Sequence, residues 1–220
     1  MNYIIYHPER ECTEINGIGK VYHDSFKGNQ DPYIWNEQIL HSFCKITQIK
    51  KEIGQYNFWV SSDIYPVFNH LYCDLAFKVS SIHEWFDSNS ISINDSIVDN
   101  KQSFRHHYKK GVIQHPFNGE KRPRKRVTLK ACKENSFQPQ NEKQELIDIV
   151  PFLLKQGYSL GDLRKNISFY ASGKMARTSK PMILDDKISK ALFEYLSSAN
   201  IKIYGNYLKS KYPKIRIKCP

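Results

Sequence analysis

Residues 71–79 read LYCDLAFKV. Leu71, Cys73, Leu75, Phe77 and Val79 alternate with Tyr72, Asp74, Ala76 and Lys78. A period of two sends alternate side chains to opposite faces of an extended strand. The apolar set is therefore expected on the core, with Asp74 and Lys78 together on the other face. A strand this regular sets a sheet at the centre of the fold. Before it, Phe58-Trp59-Val60 reads as a neighbouring strand and YIIY (3–6) as a short first strand ending at His7-Pro8. Gly17 and Gly19 mark a turn. They form a GxG fragment that lacks the rest of a phosphate-binding fingerprint.

Helical signals surround these strands. Asp31-Pro32 suits an N-cap and a first helical position, and Trp35, Ile39, Phe43 and Ile46 follow on one face until Gly54. Ser81 and Glu84 match a capping box, which predicts a short helix through His83–Phe86. The run SNSISINDS (88–96) reads as a loop. A helix is expected from about Asp95 to Lys110, with Ile97, Phe104 and Tyr108 on one side. Lys101, Arg105 and Lys109 recur every four residues as a basic stripe on another. Strands Val112–Phe117 and Arg126–Cys132 follow, with Asn118-Gly119 suited to a hairpin turn. KRPRK lengthens that connection, and Pro116 and Pro123 argue for edge positions.

Residues 134–140 (ENSFQPQ) read as a linker or ordered loop between two units. Beyond it, Glu145–Gln156 reads as a helix interrupted at Pro151 and closed by Gly157. Ser159-x-x-Asp162 opens another through Asn166. The pair is similar in pattern to a helix-turn-helix. Ser172-Gly173 breaks the chain. Asp185/Asp186 then cap a helix in which Ile188, Ala191, Leu192, Tyr195 and Leu196 keep the 3.6 period. The tail is expected to form a last turn of helix and a short strand after Pro213. The fold class that results is α+β. A mixed, mainly antiparallel sheet with packed helices over 1–140 carries a basic helix and hairpin, and a smaller, mostly helical unit with a basic tail covers 141–220.

The chain has 220 residues, 40% of them hydrophobic, which supports a substantial core. Five scattered cysteines without a CxxC pair argue for reduced thiols over a disulfide framework. The first residues lack the basic and apolar regions of a signal peptide, and no apolar run approaches membrane-spanning length. A cytoplasmic protein with no membrane partner is the expectation.

Charge is the strongest functional signal. Residues 101–133 hold eleven Lys or Arg against one acid, Glu120, a net +10 in a chain whose total is +11. The last twenty residues add six bases and no acid. A field so concentrated points to a polyanion. The expected partner is nucleic acid, DNA or RNA, with Lys101, Arg105, Lys109, Lys110, Lys121, Arg122, Arg124, Lys125, Arg126 and Lys130 as its contacts. Phe104, Tyr108, Phe117, Tyr204, Tyr207 and Tyr212 are candidates for stacking on bases.

Two other readings share the same stretch. A nuclease, or another nucleic-acid-modifying enzyme, would use His106, His107 or His115 for proton transfer. Asp63 and Asp74, with Asp95 and Asp99 as alternatives, would orient the base or hold Mg²⁺. One common nuclease pattern places an acid two positions before Lys78, where Ala76 stands. An adaptor would present the patch to an acidic protein. A zinc site built on His70-x-x-Cys73 with His83 or Cys132 has only one close spacing, where structural zinc uses paired ones, and no cofactor is assigned from the sequence.

Overall fold

A computed structural model describes residues 1–6, 11–23, 41–42, 53–64, 67–85, 116–117, 120–121, 126–167 and 181–204, with only the main chain at 23, 41–42, 82–85, 116–117, 120–121 and 126–130. The sheet is built on two buried strands, β1 (Asn2–Tyr6) and β5 (Tyr56–Ser62), which run parallel with Tyr3 opposite Asn57 and Tyr6 opposite Val60. Strands covered on both faces read as near-continuous apolar runs, as IIY and FWV do. The long β6 (Leu71–Trp85) returns antiparallel to β5. On its other side lies β10 (Phe137–Gln140), then β12 (Ile201–Tyr204), while β11 (Met182–Leu184) closes the far edge against β1. The order is β11-β1-β5-β6-β10-β12. The far half of β6 pairs with β9 (Arg126–Ala131), which also pairs with β4 (His41–Ser42). Among the described pairings only β1–β5 is parallel. The fold is α+β with a mixed, mainly antiparallel sheet.

A bulge splits the apolar set of the central strand. Trp59 pairs with Leu75 but Val60 pairs with Cys73, so Asp74 is an extra residue on β6. One inserted residue flips everything beyond it to the other face. Leu71 and Cys73 therefore join Ile4, Phe58, Val60 and Phe137 on the helix-covered face, whereas Leu75 and Phe77 join Tyr3, Ile5 and Trp59 on the opposite one. Asp74, expected at the surface beside Lys78, is 3% exposed.

Three helices cover the first face: α1 (Val150–Lys155), α2 (Leu160–Ile167) and α3 (Asp186–Ser197), with Leu153, Leu163, Ile167, Leu192 and Leu196 buried against the sheet. Their local signals match the sequence. Asp185 caps α3 by accepting from the Ile188 N–H at 2.8 Å. Ser159 and Asp162 form a reciprocal box, with the Asp162 N–H donating to Ser159 Oγ at 3.0 Å and the Ser159 N–H donating back to Asp162 at 3.2 Å. Gly157, between α1 and α2, has φ +91°, the left-handed conformation that favours glycine. None of the described helices is long and apolar enough to cross a membrane.

The second face receives a hairpin of β2 (Glu11–Ile15) and β3 (Gly19–His23), which buries Ile15 and Val21. Gly19 combines φ +102° with a close approach, since a Cβ there would lie 2.6 Å from Gln144 Oε1. A separate short pair, β7 (Pro116–Phe117) and β8 (Glu120–Lys121), sets Phe117 opposite Glu120. The expected pairing of the 112–117 and 126–132 strands is thus replaced by β7–β8 and β9–β6.

Further expectations change. Ser81–Trp85 is strand, not a capped helix, because its backbone pairs with β9 from Val79 to Trp85. Residues 137–140, expected as loop, form buried β10. Its one paired position on β6 is Phe137 opposite Ala76, so Pro139 and its missing N–H fall beyond that contact. Residues 145–148 are not helical but run beside the start of β6: the Cys73 N–H donates to the Ile147 carbonyl at 2.9 Å, and the N–H of Ile149, the residue that caps the helix, to the Leu71 carbonyl at 2.8 Å. The helix then starts around Pro151, in the first turn where proline is tolerated. Residues 201–204 form β12; the rest of the tail, with the strand expected after Pro213, lies outside the described residues. The helix expected over 31–46 is contradicted at His41–Ser42, which pair with β9 as strand β4; the rest of it, and the helix expected over 95–110, lie outside the described residues.

Candidate functional site

The carboxyl ends of the parallel strands β1 and β5 meet the start of β6 at one edge of the sheet. Tyr6 and Ser62 finish the two strands, their hydroxyls 2.8 Å apart. The chain turns through Asp63, whose carboxylate accepts the main-chain N–H groups of Asn69 and His70, each at 3.3 Å. Burial pushes the Asp63 carboxyl up, but the amides of Ile64, His70, Asp63 and Asn69 outweigh it and leave the group below its ordinary value. Arg164, on α2, reaches across to the same turn. Its Nε donates to the Phe68 carbonyl at 2.8 Å and its Nη2 to Asn69 Oδ1 at 2.9 Å.

His70 stands at the end of this turn. Its Nδ1 lies 2.8 Å from Asp148 Oδ2. The other oxygen of Asp148 accepts the N–H groups of Leu71 and Val150, each at 3.0 Å. A carboxylate only accepts, so the imidazole donates from Nδ1, and a neutral ring carries its lone pair on Nε2. The His70 side chain is 51% exposed and stacks on Tyr72 with ring centres 5.9 Å apart. The hydrogen bond to Asp148 raises the imidazole above its ordinary value against a smaller desolvation effect, and the charges of Asp148 and Asp63 add to the rise. Burial first, then Asp148, Asp63 and Glu145, raise the Tyr72 phenol. The edge thus offers a half-exposed imidazole held through Nδ1, with the lone pair of the neutral ring on Nε2.

Asp74 belongs to a different environment. Ser61 Oγ donates to its Oδ1 at 3.0 Å in the interior, and Gln138 Nε2 donates to its carbonyl at 3.0 Å. On the same face, Tyr3 Oη, Asn57 Oδ1 and Trp59 Nε1 are buried without a hydrogen-bond partner among the described residues. Asp63 and Asp74 therefore do not share one surface: the first is on the exposed turn, the second inside the bulge.

Of the basic residues, Arg126 and Lys130 are strand positions of β9, opposite Trp85 and Ser81, and Lys121 is in β8 opposite Pro116. Lys101, Arg105, His106, His107, Lys109, Lys110, His115, Arg122, Arg124 and Lys125, with Asp95 and Asp99, lie outside the described residues. Cys73 is fully buried on the helix face while His70, half-exposed, is paired with Asp148. No cluster of three metal-ligating side chains occurs among the described residues. The sequence reading missed Asp148 and Arg164. Asp148 is 78 residues from His70, and no motif spacing links them.

No known protein family matches. A scan against protein-family models finds none, and neither the curated proteins nor the solved structures contain a match. The function must be argued from this chain alone.

Proposed function

We propose that the protein binds nucleic acid, chiefly through phosphate charge, with residues 101–133 as the main contact. The observation that carries this is the net +10 over those 33 residues in a chain of net +11. Lysine and arginine neutralise phosphates and release condensed counterions, a gain that needs no base recognition. The pairing of β9 on both edges, to β6 and β4, supports the reading, because it gives the end of the basic segment a rigid support. If five or six phosphates are contacted, log K falls with log salt at a slope of roughly −4 to −5. Fluorescence anisotropy with labelled DNA and RNA across a salt series measures that slope. Binding indifferent to salt, or no binding at low salt, refutes the proposal. Displacement by an acidic polypeptide in preference to nucleic acid favours the adaptor instead.

A further inference from the structure

We infer that the edge formed by the carboxyl ends of β1 and β5 is a proton-transfer site, in which His70 acts as general base on the 2′-hydroxyl of RNA and Asp148 is its positioning residue. This rests on the nucleic-acid reading and adds a reaction to it.

The argument begins with how firmly an exposed side chain is held. An exposed His–Asp pair contributes little to stability, yet this one is fixed from four directions. Asp148 is itself anchored by two main-chain N–H groups, so its second oxygen has one orientation to offer. The Tyr72 ring lies along the imidazole. Asp63 binds the His70 amide, and Arg164 holds the two preceding residues through the Phe68 carbonyl and the Asn69 side chain. The groups around the ring are thus Asp148 before α1, Asp63 at the end of β5, Tyr72 on β6 and Arg164 on α2. Their combined effect is to hold a half-exposed ring through Nδ1 and leave Nε2 as its proton acceptor, the arrangement a general base needs. The location is a second, independent argument. In open α/β sheets, ligands bind beyond the carboxyl ends of parallel strands, and the one parallel pair among the described strands ends at this edge.

RNA suits a single fixed base because it carries its own nucleophile beside the phosphorus. His70 Nε2 takes the proton of the 2′-hydroxyl. The 2′-oxygen bonds to the adjacent phosphorus, the bond from phosphorus to the 5′-oxygen of the next nucleotide breaks, and that oxygen takes a proton from water. The imidazolium returns its proton to the resulting hydroxide. The products are a 2′,3′-cyclic phosphate and a 5′-hydroxyl. Asp63 opposes the approach of phosphate while raising the basicity of His70, so Asp63→Asn should tighten RNA binding.

The test uses a labelled RNA oligonucleotide and its 2′-O-methyl counterpart, which binds but cannot react. The full chain is expected to cut only the first, leaving a cyclic phosphate seen by mass spectrometry. His70→Ala should lower the rate by about 10²–10⁴-fold, with unchanged affinity for the 2′-O-methyl strand and, in mild alkali where the pairing with Asp148 contributes least to stability, a melting temperature close to the parent's. Asp148→Asn should retain part of the rate and move the rising limb of the pH profile to lower pH, an effect a merely structural role would not produce. RNA that is bound and left intact overturns this inference and leaves nucleic-acid binding standing. Cleavage that survives His70→Ala also overturns it. Failure to bind the 2′-O-methyl strand defeats both.

Discussion

Gln138 holds Tyr22 by both of its main-chain polar groups, accepting from the N–H at 2.9 Å and donating to the carbonyl at 2.8 Å. Gln140 donates to the Lys20 carbonyl at 2.8 Å, and Gln144 accepts from the Lys20 N–H at 2.9 Å. Three glutamine amides thus serve β3 as a substitute strand, and the β2–β3 hairpin is docked by side chains where a ladder would otherwise run. Gln138 Nε2 also reaches the Asp74 carbonyl, so the hairpin and the bulge share one amide.

Gln138→Leu keeps the volume and removes these bonds. Partly buried main-chain groups left unpaired cost about 1–3 kcal/mol each, so a loss of about 2–6 kcal/mol is expected for the two on Tyr22. A urea midpoint that does not move would show that apolar contact alone seats the hairpin.

Leu75 and Leu153 lie on opposite faces of the sheet, in separate clusters. Leu75→Ala and Leu153→Ala should each cost about 2–5 kcal/mol. Their effects should sum to within about 0.5 kcal/mol in the double variant. Strong coupling in denaturant unfolding would contradict the division of the core by the sheet.

Asp185→Ala removes the cap of α3 and leaves the Ile188 N–H without its side-chain acceptor. A loss of about 0.5–2 kcal/mol is expected. Asp185→Asn should recover most of it, because the amide oxygen can still accept.

His70 gives a pH dependence of known sign. Its folded-state value is raised by Asp148. The stabilisation is therefore complete below the unfolded value of about 6.5 and disappears as pH rises through the folded value. Asp148→Asn should be most destabilising, relative to the parent, in mild acid, with the deficit shrinking in mild alkali. An NMR titration of the His70 ring should show a higher midpoint in the parent than in the variant. Asp63, whose value is lowered, has the opposite sign: its contribution is present above the ordinary carboxylate range and fades in acid.

Charge reversal at Arg124 and Lys125 should weaken nucleic-acid binding and reduce the salt slope by about 2, one for each lost phosphate contact. Arg126 is left unchanged in this test because it is a paired position of β9. An unchanged slope would place the contact elsewhere.

What the sequence determined by itself is local. Short apolar runs mark β1 and β5, and a period-two run marks β6; Asp185 and the Ser159/Asp162 box mark helix starts; Gly157 marks a stop. Each follows from the steric and hydrogen-bonding preferences of a few neighbouring residues, and each is present in the fold. Tertiary pairing decided the rest. A capping box at Ser81 and Glu84 is worth about a kcal/mol, less than a whole strand's hydrogen bonds to β9, so the backbone there is extended. Leu71–Val79 alternates without a break, and only the register against β5 inserts the bulge at Asp74 and divides its apolar side chains between two faces. FQPQ has the composition of a loop and becomes β10 because β6 and β12 flank it. The pairing of His70 with Asp148 is also absent from any local pattern, since it forms only when the segment before α1 lies down along the start of β6.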